Sequence, residues 1–186
     1  MILNALGLVA FVAFCMVLGY SIIKVKQAIY VRAWRPLAPI TDGAVRKDPK
    51  GGDTSWLIGT WKGSSIHARM TPRVKDPDVD VYQSFFAVGV VELDGAASWN
   101  CDPSGLTSSD ADIARRLHDA GVVERIRAVG YYAVAFDHQA RTLVLEQDMH
   151  PRWCPRREQF VVLLDLATEL ARINAQVNRQ HASIRS

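Results

Sequence analysis

From Ile2 to Ile23 the chain reads ILNALGLVAFVAFCMVLGYSII, with no charged side chain in the run. No other segment restricts the architecture as much. At about 1.5 Å of rise per helical residue the run extends over roughly 33 Å, enough for a hydrocarbon core of about 30 Å. A buried core helix would show a polar face, and here only Asn4 and Ser21 are clearly polar. A cleaved signal peptide would have a basic start, a shorter apolar stretch and a small-residue exit. This run has no Lys or Arg before it and ends in Lys24 and Lys26, and Phe14 is too large for the position before a lipoprotein cysteine. The expectation is an uncleaved, single-pass transmembrane helix.

The flanks give the helix a direction. Lys24, Lys26, Arg32 and Arg35 follow the run closely, whereas only the α-amino group precedes it. The positive-inside rule then places the C-terminal domain on the cytoplasmic side of the cell (inner) membrane. The whole chain has 22 Lys and Arg against 19 Asp and Glu, a formal net charge of +3. Those four basic residues exceed that excess, so the remainder is close to neutral and no nucleic-acid polymer is expected as a partner. The residues expected at the membrane interface are Lys24, Lys26, Arg32, Trp34 and Arg35, against anionic headgroups or as a plain stop-transfer flank. Cys15 lies in the apolar run, and Cys101 and Cys154 lie beyond it. The latter two pair only in an oxidising compartment, so the cytoplasmic assignment predicts reduced thiols.

Three units follow along the chain: residues 1–35 as anchor and juxtamembrane helix, 36–55 as linker, and 56–186 as the folded domain. Pro36 and Pro39 stop the helix, and TDGAVRKDPKGGDTS over 41–55 has linker composition. Alternation with period two then dominates. Leu57, Gly59 and Trp61 share one parity and Ile66, Ala68 and Met70 the other, with a bulge or bend expected at Gly63 to Ser65. In 79–93 the odd positions Val79, Val81, Phe85, Ala87, Gly89, Val91 and Leu93 are apolar, predicting a long strand that buries them, and Asp94-Gly95 predicts a hairpin returning through 96–101. A strand over 126–136 should turn at 137–141 and pair back through 142–146, and Gln159–Leu164 has the length of a buried strand. Ser108-Ser109-Asp110 offers a cap for an inserted helix that Gly121 closes. Segment 166–180 fits both periodicities. A hairpin there would lack Gly, Pro or Asn at its turn, so a C-terminal helix capped by Asp165 is expected.

Gly59-Thr60-Trp61 resembles the G-x-W element of the opening strand of lipocalin-type (calycin) β-barrels. That resemblance implies an antiparallel barrel closed at one end by Trp61, with room inside for a small ligand. An anchor joined to such a barrel also resembles the membrane-anchored β-barrel effectors of antiphage defence. That second resemblance implies cyclic-nucleotide sensing, although those effectors carry two membrane helices.

The segment MHPRWCPRR at 149–157 concentrates unusual side chains. Arg152, Arg156 and Arg157 are candidates to clamp a phosphate or carboxylate, with Trp153 to stack on a ring. The plainer reading pairs those arginines with Asp148 and Glu158 in an exposed loop. His150, Cys154 and Cys101 have no metal-ligand spacing, so no metal and no cofactor is expected. Neither a nucleophile elbow nor a phosphate-binding glycine loop occurs. His67, His118, His138 and His181 have no sequence-adjacent partner for catalysis.

The expected protein is a single N-terminal transmembrane helix plus a β-rich (α+β), antiparallel, barrel-like domain with one inserted helix and a C-terminal helix. The expected function is non-enzymatic: binding a small, anionic ligand or a partner protein at the bilayer surface. The alternatives are an accessory or assembly subunit of a membrane complex, or of a homo-oligomer, and a nucleotide-gated effector.

Overall fold

A computed structural model describes the backbone of residues 2–47, 55–75, 82–102, 104–130, 133–148 and 155–185. Within these, the side chains of 2–9, 23, 26, 27, 29, 30, 47, 55, 71–75, 82–85, 148, 184 and 185 lie outside the description. The chain begins with α1 (Ile2–Trp34), one helix without a break. Its described side chains from Ala10 to Ile22 are exposed apart from Gly19, with Phe11, Phe14, Met16 and Val17 each 64–70 % exposed. The expected span Ile2–Ile23 includes side chains outside the description. Among the described residues no helix is long and apolar enough to cross a membrane.

Among the described residues eight strands form one antiparallel sheet. They are β1 (Ala44–Lys47), β2 (Ser55–Trp61), β3 (Ser64–Lys75), β4 (Tyr82–Val90), β5 (Trp99–Asp102), β6 (Gly105–Ser108), β7 (Ala133–Asp137) and β8 (Thr142–Asp148), in the order β1-β2-β3-β4-β8-β7-β5-β6. The helices α2 (Ala111–Asp119), α3 (Val122–Val129) and α4 (Arg157–Arg185) complete the fold. Among the described residues no pairing joins the edges β1 and β6.

The β2–β3 hairpin turns through Lys62 and Gly63, at φ 48° and 82°. Left-handed backbone at both central residues matches the twist of the flanking strands, so the expected bend is a tight turn and not a bulge. The helix over 111–119 forms as expected, with Asp110 Oδ1 accepting from the amides of Asp112 and Ile113. Gly121, at φ 73°, ends α2 and starts α3. The β7–β8 hairpin also forms, with Phe136 opposite Leu143 and Asp137 opposite Thr142.

Several expectations are corrected. Residues 122–129 are helical, and strand begins only at Ala133. There Val122, Val123 and Ile126 are buried, a helical spacing that alternation had masked. Gln159–Leu164 is the first part of α4 and not a strand. Gln159 accepts from the Arg156 amide at 3.0 Å, which caps the helix about eight residues before Asp165. Asp94-Gly95 does not close a hairpin. β4 pairs with β3 and β8, and β5 pairs with β6 and β7. In β4 the even positions Phe86, Val88 and Val90 enter the core, not the odd ones.

The linker assignment for 36–55 also fails over its first part. Leu37 and Thr41 are buried, a short 3₁₀ helix spans Ala38–Thr41, and β1 pairs with β2. Trp34 is corrected most sharply. It is 0 % exposed, with ring centroids 5.4 Å from Phe86 and 6.4 Å from Phe160. An aromatic ring of that size gains more from full burial in a core than at a headgroup layer. The folded unit therefore begins at the end of α1.

One face of the sheet carries this core. Leu57, Ile66, Ala68, Met70, Phe86, Val88, Val134, Phe136, Leu143 and Leu145 alternate inward. They meet Phe160, Leu163, Leu164, Ala167, Leu170 and Val177 of α4. Cys101 is buried there as a free thiol, and burial pushes its pKa up, with the Asp102 charge adding to the shift.

Candidate functional site

The alternate residues of the same strands face away from α4, with Ala87 and Gly89 buried between their larger neighbours. Strand pairing sets them in rows across the sheet. One row runs Trp56, Arg69, Ala87, Glu146, Ala133. The next runs Ile58, His67, Gly89, Val144, Ala135, Asn100, Thr107. Ala87 in the first row and Gly89, Val144 and Ala135 in the second lie between larger or polar side chains, which makes a trough. Two adjoining cavities fill it, of about 900 Å³ and about 650 Å³, sharing Arg69, Ala135, Asp137 and Val144. That size is in the range of small-molecule sites.

Arg69 and Glu146 flank Ala87 on neighbouring strands, and their head groups meet with Arg69 Nη2 3.4 Å from Glu146 Oε1. The Arg69 guanidinium also lies 5.7 Å from the centre of the Trp56 ring. His67 stands edge-on to the same ring system, with centroids 6.0 Å apart. Burial pushes the His67 pKa down, and the Glu92 charge offsets only part of the shift. The imidazole is accordingly neutral at physiological pH. Among the described residues the buried Trp56 indole N–H has no hydrogen-bond partner.

At the far rim Ser98 Oγ is 2.8 Å from His138 Nδ1 and accepts from the His138 amide. Asp137 Oδ1 accepts from the amides of Gln139 and Ala140, so that carboxylate organises the turn. The Ser98–His138 contact ties the turn to the loop before β5. Among the described residues no group of three or more His, Cys, Asp or Glu side chains is placed to hold a metal ion.

The residues singled out from sequence fall elsewhere. Arg152, Trp153 and Cys154, with His150, lie outside the described residues. Arg156 and Arg157 are exposed at the start of α4 and line neither trough cavity. Trp61 belongs to the core side, where its Nε1–H donates to Asp165 Oδ1 at 2.8 Å. Burial works against the Asp165 charge, but the bonds from Lys62 and Trp61 outweigh it and hold the carboxyl below its usual range. Gly59 leaves room for a close backbone approach: a Cβ there would sit 2.5 Å from the Thr41 carbonyl oxygen and 2.8 Å from Gly43 Cα. Both ends of the Gly59-Thr60-Trp61 element thus have packing roles. Lys24, Arg32 and Arg35 are exposed, Lys24 lying 5.3 Å from the centre of the Tyr20 ring, and the Lys26 side chain lies outside the description. His181 sits in α4 as a buried residue, its Nδ1 3.2 Å from Asp112 Oδ2.

Sequence reading missed Arg69, Trp56, Glu146 and Gly89. The signal was the second parity of the strands, which holds Ala87 and Gly89 in β4 and Ala133 and Ala135 in β7 where polar side chains would be usual. No family model, curated protein or solved structure matches this chain.

Proposed function

We propose that this protein is a membrane-tethered, non-enzymatic binding module that takes a small ligand on the bare face of its sheet, at the membrane surface. The trough carries this reading. A sheet face left uncovered would ordinarily present alternating polar side chains to water. Here its centre is Ala87, Gly89, Ala135 and Val144, walled by Trp56, His67, Arg69 and Glu146. An apolar floor with a few polar groups at its margins is the usual composition of a ligand site.

The tether rests on α1. Its uncharged stretch Ile2–Ile23 and its exposed Phe11, Phe14, Met16, Val17 and Leu18 need an apolar environment. Lys24, Lys26, Arg32 and Arg35 then lie on the cytoplasmic side, with the domain. The same exposed side chains favour a second reading, an accessory subunit whose α1 packs against partner helices in a membrane complex.

Carbonate-washed membranes should retain the full chain, and its release into the soluble fraction would overturn the tether. A reporter fused after Ser186 should be active only if cytoplasmic. Native mass spectrometry from mild detergent should find a small molecule on the wild type and none on Gly89→Leu, which fills the trough. Equal, ligand-free masses would sink the ligand reading. A stoichiometric membrane protein in both samples would favour the accessory-subunit reading.

A further inference from the structure

We infer that the trough takes an oxyanion, a carboxylate or phosphate monoester, borne on a slender apolar body, with the anionic group seated on the Arg69 guanidinium. This rests on the trough being a ligand site and adds the chemistry of its ligand.

Arg69 is held in place but little used. A guanidinium offers five N–H donors in a fixed fork. Among the described residues its only hydrogen bond is the one to Glu146, at 3.4 Å, long for a charged pair. Both side chains of that pair are more than two-fifths exposed, and such ion pairs contribute little. The guanidinium lies 5.7 Å from the centre of the Trp56 ring, a cation–π contact that draws it to that wall of the trough. A bidentate oxyanion would satisfy more of these donors than Glu146 does, and displacing Glu146 to solvent costs little. The unpartnered Trp56 indole N–H stands in the same wall, a donor whose lack of an acceptor asks for an explanation.

The other charges at the trough are already engaged. Arg141 bonds Asp94 at 2.8 Å, Asp137 holds its turn, and Glu92 lies 3.4 Å from Ser65 Oγ.

Beyond Arg69 the floor is narrow and apolar. From β3 to β7 the line His67, Gly89, Val144, Ala135 crosses three strand spacings, about 14 Å, the length of a short extended chain. Gly89 is not required by packing. A Cβ there would have its nearest neighbours at 3.5 Å or more, ordinary contact distance, so the floor lacks a side chain that packing would admit. A neutral His67 beside this line suits an uncharged body.

The test uses the full chain in phosphatidylcholine nanodiscs and follows the Gly89 amide, the Trp56 indole N–H and the Arg69 Nε–H by NMR. The probes are octanoate and octyl phosphate, with octanol and octylamine as comparators. Saturable shifts at all three signals are expected with octanoate, octyl phosphate or both, which separates carboxylate from phosphate. Arg69→Lys, which keeps the charge and loses the fork, should weaken binding at least tenfold with the rest of the spectrum unchanged. Glu146→Gln, which removes the competing carboxylate, should tighten it severalfold. The same shifts on adding phosphatidic acid to the discs, with no probe present, would identify the source as membrane lipid. A response to the added probe alone would identify it as a free molecule.

Octanol binding as well as octanoate, with no effect of Arg69→Lys, would overturn the anionic head and leave the small-ligand reading standing. Tightest binding of octylamine would overturn it in favour of Glu146 as the anchor. No shift at Gly89 with any probe would overturn the inference. The bound-mass comparison of wild type with Gly89→Leu then decides whether the wider reading falls with it.

Discussion

The two faces of one sheet are built to different standards. On the face toward α4, large apolar side chains alternate in register, and the buried Asn174 and Thr168 are hydrogen-bonded, although among the described residues the buried His181 Nε2 is not. Asn174, 0 % exposed, accepts from Trp99 Nε1–H at 2.8 Å, and Thr168 donates to the Leu164 carbonyl at 2.8 Å. On the opposite face the same strands present alanine, glycine and valine. There the Arg69–Glu146 ion pair is long, and the Trp56 N–H has no acceptor. A covered face gains stability from each methylene and loses it with each unpaired donor. A face left bare for a ligand cannot be filled without closing the site. The contrast locates the stability of the domain on one side of the sheet and the proposed recognition chemistry on the other.

The largest expected effect tests the covered face at its junction with α1. Trp34→Ala leaves a hole against Phe86 and Phe160 and should cost about 3–5 kcal/mol in denaturant unfolding. Val25→Ala, on the exposed part of the same helix, should change stability by no more than about 0.5 kcal/mol. Equal effects would mean that α1 is not welded to the core through Trp34.

Two strand glycines sharpen the comparison because they should respond with opposite signs. Gly59→Ala drives a Cβ into the Thr41 and Gly43 backbone and should destabilise by about 1–3 kcal/mol. Gly89→Ala meets only ordinary contacts and should stabilise by about 0.5–1 kcal/mol through lower backbone entropy of the unfolded chain. Thermal melts of the two variants side by side measure the difference.

Polar truncations should divide the same way. Asn174→Ala orphans the Trp99 N–H inside the core and should cost about 1–3 kcal/mol by chemical denaturation. Arg69→Gln on the bare face should cost less than about 1 kcal/mol. A larger loss for Arg69 would make its ion pair structural rather than available to a ligand.

The smallest effect is at the seam of α2 and α4. The hydrogen bond from Arg116, and then the one involving His181, hold the Asp112 pKa down to about 2. A depressed carboxyl stabilises the fold fully above its unfolded pKa of about 3.9 and ceases to as pH falls toward 2. The wild type should therefore lose stability across that window relative to Asp112→Asn in acid-titrated melts.

Much of the covered face is readable in the residue order. The alternation of Leu57 and of Ile66, Ala68 and Met70 gives strands, Asp110 and Gly121 bound a helix, and the β7–β8 turn follows its polar residues. The apolar run Ile2–Ile23 and its basic flank specify a long helix and motivate its membrane reading. These signals are local, resting on side-chain spacing and turn chemistry within a few residues. The tertiary structure alone decided the rest. Residues 126–129 alternate like a strand and Gln159–Leu164 has the length of one, but packing on the sheet rewards both as helices because their apolar side chains then share one buried side. Trp34 reads as an interface tryptophan until Phe86 and Phe160, distant in sequence, meet it. The trough is invisible in any one strand, because it consists of small residues on β4, β7 and β8 brought level by register. Arg69, Ala87 and Glu146 become neighbours only through two strand pairings, and long-range pairing is not encoded in the spacing of any single segment.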